Sequence, residues 1–290
     1  MDQSEATLAT LLQTATRLGY RFSPDGRVTS PTRHPYQTPW VYAGGRHYTR
    51  CRLWHDGVFG TFGFAPSPCH QCFKVVVRPR TLKELFGLQD IVQAQDGAAK
   101  CGAECRRFVH GLYGGYFYAR GIDEGLARYR EVRQVVSSQI SPDVPVSLKR
   151  GCTKYEMALG PSDRWCVTPE QADTEAWLAT RTSPRLFEWD SVPLNPQPAV
   201  VVRLIHRRWV QWAFQNGDST YQAFMGGRPL VASATTYHDD QAAVARVRGL
   251  AKDLDQPPPV CAMVRHAQEG EDERGNQTGG RGQRDSGRHR

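Results

Sequence analysis

Four cysteines stand in two short-spaced pairs, Cys69-x2-Cys72 and Cys101-x3-Cys105. Two thiolates with two or three residues between them can both face one ion about 2.3 Å away without straining the backbone. The two pairs therefore supply the ligands of a closed tetrahedral site. Four thiolates select zinc by default, with an iron–sulfur cluster as the lesser option. Pro68 before the first pair and Gly102 inside the second suit tight ligand turns. Cys51 or His70 can stand in for one of the four. The plainer alternative is a set of reduced cysteines buried in a core, a common place for this residue. Pro68-Cys69-x-x-Cys72 also matches the second half of the zinc deaminase signature, whose first half is His-x-Glu. That half is missing: His34, His47 and His55 are each followed by other residues, so the proton shuttle of such an enzyme is absent.

Cys152 follows Lys149, Arg150 and Gly151. Neighbouring cations lower a thiol pKa and favour the nucleophilic thiolate. His110 or His206 is the candidate base, and a half-buried cysteine in a strand is the simpler reading. Arg106, Arg107, Tyr113, Tyr116, Tyr118 and Arg120 interleave cations with aromatics. On a strand, Tyr116 and Tyr118 share one face. Stacking aromatics flanked by cations suit unpaired bases and their phosphates, so Arg106, Arg107, Tyr116, Tyr118, Lys149 and Arg150 form the expected nucleic-acid contact set. The aromatic spacing of an RNA-recognition motif is not met, and core packing of the tyrosines competes with this reading. A second basic stretch, Arg203, Arg207, Arg208 and Trp209, reads as a solvated strand edge. Asp239, in His238-Asp239-Asp240, reads as a helix cap. No phosphate-binding loop, dinucleotide fingerprint, His-Glu-x-x-His or Gly-x-Ser-x-Gly is present, which argues against nucleotide hydrolases, dehydrogenases and ordinary hydrolases.

Length and charge set the frame for these groups. The 290 residues allow one large domain or two small ones. The chain is 39% hydrophobic with seven Trp, and its formal charge is +8. From His266 onward, five Arg (274, 281, 284, 288 and 290) are matched by five acids, Glu269, Glu271, Asp272, Glu273 and Asp285. The positive charge therefore belongs to the part before the tail, and it favours an anionic partner, nucleic acid first. The chain has no uninterrupted apolar run of membrane-spanning length and no secretory signal. It is expected off the membrane, in the cytoplasm, with its eight Cys reduced or metal-bound.

The elements that would position these groups follow from periodicity and punctuation. A helix is predicted over 5–18. Residues 23–45 read as loop, and 47–64 as a β-hairpin turning at Asp56-Gly57. A strand is predicted over 73–77. A helix follows over 82–95, with Thr81 and Glu84 at capping-box spacing. An aromatic strand spans 112–118, and a helix begins near Asp123. Two strands, 144–148 and 153–157, come next, then a helix from Pro169 to about Thr180. Strands are predicted over 199–205, 209–214 and 230–235, and a last helix over 241–254. The tail from His266 is too poor in apolar residues to fold. The expected fold is α+β: a mixed or antiparallel sheet with flanking helices and an inserted cysteine zinc site. Its expected parts are a β-rich region 1–107, an α+β domain 108–265 and a disordered tail 266–290. A zinc-stabilised nucleic-acid-binding protein is the leading expectation. A metal- or thiol-dependent enzyme acting on a nucleotide or nucleic acid is the second, and a structural or adaptor protein the third.

Overall fold

The computed structural model describes residues 3–29, 38–43, 46–48, 50–189, 191–193 and 196–226. The expected strand 230–235, the helix 241–254 and the tail 266–290 lie outside the described residues, as do His34, Asp239 and Cys261.

Helix α1, Gln3–Arg17, buries Leu8, Leu11 and Ala15, the spacing of an amphipathic stripe. A short ladder joins β1, Arg21–Phe22, to β2, Val28–Thr29. After β3, Trp40–Ala43, and β4, Arg46–Tyr48, the chain is helical where a hairpin is predicted. A π-helical segment, Leu53–Phe59, runs into α2, Gly60–Phe62. Its buried positions are Leu53, Trp54, Gly57 and Val58, which is helical spacing. Gly57 makes this packing feasible: a Cβ there would lie 2.9 Å from Leu11 Cδ1 and 3.1 Å from Leu53 Cδ1. Contact with α1 thus overrides the strand preference of the aromatics.

Next come α3, Ser67–His70, β5, Cys72–Val77, and α4, Leu82–Ala94. Thr81 Oγ1 accepts from Glu84 N at 3.2 Å, and the Glu84 carboxylate reaches back to Arg80 N at 2.6 Å, so the start of α4 is fixed by local chemistry. Strands β6, Ala99–Ala103, and β7, Tyr113–Arg120, precede α5, Gly121–Gln139, and β8, Val146–Arg150. Gly151, at φ +64°, turns the chain off the sheet. The stretch expected to be a strand at 153–157 is instead α6, Thr153–Leu159. Helix α7, Pro169–Arg181, starts at the predicted Thr168 cap, whose hydroxyl accepts from Gln171 N at 3.2 Å. After β9, Ser191–Pro193, which pairs with β4, one helix, α8, Ala199–Gln215, replaces the two strands predicted there. Its buried residues Val201, Ile205, Trp209 and Ala213 recur every four positions, a helical period that the β-branched run obscures.

Five strands form one antiparallel sheet in the order β3-β6-β7-β5-β8. The run β5-α4-β6-β7-α5-β8 is a split β-α-β-β-α-β unit, extended at one edge by β3. Strands from both sides of residue 107 share this sheet. One face packs Val75, Val77, Ala99, Cys101, Tyr113 and Phe117 against Leu82, Leu85, Leu88, Ile91, Val132 and Val136, and α8 adds Ile205 and Trp209. Each large apolar side chain so buried contributes about 1.5–3 kcal/mol. A second core joins Leu11, Leu53, Trp54 and Val58 to Cys69, Tyr155, Leu178 and Leu186. Among the described residues, no helix is long and apolar enough to cross a membrane.

Candidate functional site

The zinc site expected at Cys69, Cys72, Cys101 and Cys105 is not formed. Cys101 pairs with Gly115 in the ladder and is fully buried in the core under the helices, where desolvation raises its pKa. Cys105 lies past the end of β6 and is exposed. Cys69 and Cys72 belong to the far end of β5 and the helical turn before it. Strand alternation separates the two pairs, because Cys72 and Cys101 point to opposite faces of the sheet. Among the described residues, no three Cys, His, Asp or Glu side chains converge tightly enough to hold a single metal ion. His70 is no substitute ligand either, since its ring engages Ala65 O at 3.1 Å.

A different set of thiols comes together. Cys51, Cys69, Cys72 and Cys152 act on one another in every pairing: Cys69 with the other three, Cys51 with Cys72 and Cys152, and Cys72 with Cys152. Gly151 N donates to Cys72 O at 2.7 Å, which sets Cys152 beside Cys72 at the mouth of the β5–β8 ladder. Cys69 Sγ stands 3.9 Å from the Tyr155 hydroxyl, and the Tyr155 ring stacks on His55 at 4.1 Å. Burial raises the pKa of Cys51, Cys69 and Cys72. Cys152 goes the other way. Burial would raise it too, but Lys74, then a hydrogen bond and charge from His55, then Lys100 outweigh that and hold it below the ordinary thiol range. The imidazole beside Cys152 is therefore His55, rather than the His110 or His206 that the sequence offered. His206 is engaged with Gln89 at 2.7 Å.

Lys74, Lys100, Tyr116 and Tyr118 share the sheet face opposite α4 and α5, where the pairings Lys100↔Tyr116 and Lys74↔Tyr118 align them across strands. Lys74 Nζ lies 3.9 Å from Cys152 Sγ and 5.8 Å from the Tyr116 ring. Lys100 Nζ lies 4.5 Å from the Trp40 ring and 5.4 Å from Tyr116, distances that favour cation–π attraction. Desolvation, with Arg106 and Lys74 close by, brings the Lys100 pKa down to about 8. Toward the β6–β7 loop the face ends in Glu104. Its buried carboxylate accepts from Arg106 at 2.6 and 2.7 Å and from the Tyr116 hydroxyl at 2.6 Å, with Arg78 at 3.6 Å. Four cations thus gather around Tyr116.

The expected contact residues are only partly brought together. Tyr116 is buried, and its hydroxyl is occupied by Glu104, Arg78 and Arg106, so it packs rather than stacks on a ligand. Lys149 pairs with Glu156, and Arg150 donates to the carbonyls of His70 and Ser162 at 2.7 Å. Both brace α6 and the following turn. Tyr113 belongs to the opposite face, donating to Asp218 at 2.7 Å. Arg203, Arg207 and Arg208 lie on the solvated side of α8, not on a strand edge. Arg106 and Arg107 remain exposed, and Phe108 beside them is 39% exposed. Sequence reasoning passed over Phe108, Trp40 and Lys100. The one signal in the sequence was Phe108 directly following Arg106-Arg107. The chain matches no known protein family, no curated protein and no solved structure.

Proposed function

We propose that this protein binds single-stranded nucleic acid at the β6–β7 end of the sheet, through Arg106, Arg107, Phe108 and Trp40. The observation that carries this reading is the Arg106 guanidinium lying between two rings, 5.9 Å from Trp40 and 6.0 Å from Phe108. Unpaired bases stack on exposed aromatic rings, and their phosphates need cations alongside. An exposed Phe has no packing reason to sit in a basic loop, yet it suits a base face. The split β-α-β-β-α-β sheet supports the reading in general form, since such sheets take RNA bases on aromatics of the face away from the helices. The formal charge of +8 adds long-range attraction for a polyanion.

The test is fluorescence anisotropy with labelled single-stranded RNA and DNA oligonucleotides. Phe108→Ala should weaken binding by about 1–3 kcal/mol, the contribution of one stacked base, while its unfolding curve stays within about 0.5 kcal/mol of wild type. Equal affinity of Phe108→Ala and wild type overturns the assignment of this loop.

A further inference from the structure

The four thiols of Cys51, Cys69, Cys72 and Cys152 come from four separate parts of the chain. These are the turn before the π-helical segment, α3, the first residue of β5 and the turn after β8. Their convergence is not explained by packing alone, since larger apolar residues fill a core better. A second feature points at the same place. Lys74 is only 7% exposed, yet its Nζ is aimed at Cys152 Sγ. Among the described residues, neither Lys74 nor Lys100 forms an ion pair with a carboxylate. A buried cation lacking a counter-charge is costly, and neutral thiols supply none.

We propose that Cys51, Cys69, Cys72 and Cys152 ligate an iron–sulfur cluster of the four-iron class, whose negative charge Lys74 and Lys100 offset. Four cysteine thiolates are the usual ligand set of such a cluster. A single zinc ion needs its donors about 2.3 Å away, and among the described residues no three donors converge so tightly. A cluster of several iron and sulfide ions reaches thiolates spread around a wider volume. Ligation requires the thiols to give up their protons to solvent, and the two lysines favour the resulting charge. Tyr118 underlies the thiols from β7, and Tyr155 walls them from α6, so the cluster would sit in a largely apolar, water-poor shell. With Cys152 as a ligand, it is not a free nucleophile.

The full chain, expressed and purified without oxygen, should carry about four iron and about four sulfide per protein and a broad visible absorption. The Cys69→Ser, Cys72→Ser variant should lose both, and Cys101→Ser, Cys105→Ser should keep both. Should the first variant fail to fold, Cys152→Ala leaves α3 and β5 untouched and reads the same loss. Zinc in place of iron overturns the proposal, as does iron that survives loss of Cys69 and Cys72. So does metal-free protein whose Cys152 is rapidly alkylated at neutral pH. The readout is metal content, so either result leaves the nucleic-acid reading to be judged on Phe108 and Arg106.

Discussion

Glu104→Gln is the sharpest single probe of the cationic face. The Glu104 side chain is 0% exposed, whereas its main partner, Arg106, is 40% exposed. The Tyr116 hydroxyl, which accepts from Arg78 and Arg106, has only the Glu104 carboxylate for its own proton. Glutamine keeps the shape but turns an NH2 group toward donors, so at least one buried bond is lost. A hydrogen bond to a charged group contributes about 1.5–3 kcal/mol. The Arg106 pairing, open to solvent, adds at most about 1 kcal/mol. The variant should therefore lose about 2–4 kcal/mol at neutral pH in urea unfolding. Burial pushes the Glu104 pKa up, but hydrogen bonds from Arg106 and Tyr116 and the Arg106 charge outweigh it, leaving the group below its ordinary value. A carboxyl depressed in the folded state stabilises above its unfolded pKa and loses that contribution as pH falls through the folded pKa. The gap between wild type and variant should hold above about pH 5 and close on acidification below pH 4.5, the group's unperturbed value. A gap under about 0.5 kcal/mol, or one that persists unchanged in acid, refutes the assigned role.

Two further variants test the frame that holds this face. Asp218 accepts from Leu82 N at 2.6 Å, from the Tyr113 hydroxyl at 2.7 Å and from Thr220 N at 3.0 Å. Asp218→Ala should cost about 2–3 kcal/mol in urea unfolding, because it orphans a buried hydroxyl and two helix-start amides. Gly115 lies under α4, and a Cβ there would stand 2.5 Å from Leu88 Cδ2. Gly115→Ala should lower stability by about 1–3 kcal/mol through overpacking, seen as a drop in Tm. An unchanged Tm would mean that α4 does not press on β7 as described.

Local chemistry was readable in the chain, and tertiary convergence was not. The starts of α4 and α7 were legible because Thr81 and Thr168 cap within three residues of themselves. Strands β5 and β7 were legible from their β-branched and aromatic runs. Residues 199–215 failed for the same reason: Val200, Val201 and Val202 look like a strand, and only burial at every fourth residue reveals the helix. The 53–62 stretch failed because its helical form depends on Leu11 packing against Gly57, a contact forty-odd positions away in sequence. The cysteine pairs misled because nearness along a chain says nothing about faces. Cys101 turns into the helix-covered core, whereas Cys51 and Cys152, far apart in sequence, meet Cys69 and Cys72. Cys51 was legible only as a substitute ligand, and Cys152 only as a thiol beside cations. Arg106 and Arg107 stand where a basic-aromatic reading puts them, but Tyr116 serves Glu104 instead of facing outward.

The central claim, that the Arg106–Phe108 loop binds single-stranded nucleic acid, is tested most directly by affinity measured against salt. Each phosphate contact on a single strand contributes about −0.7 to the slope of log K against log salt. With Arg106 and Arg107 both engaged, the wild-type slope should be steeper than about −1.4, and Arg106→Ala, Arg107→Ala should flatten it by about that amount. Binding that is absent at low salt, or a slope unmoved by losing both arginines, would contradict the account.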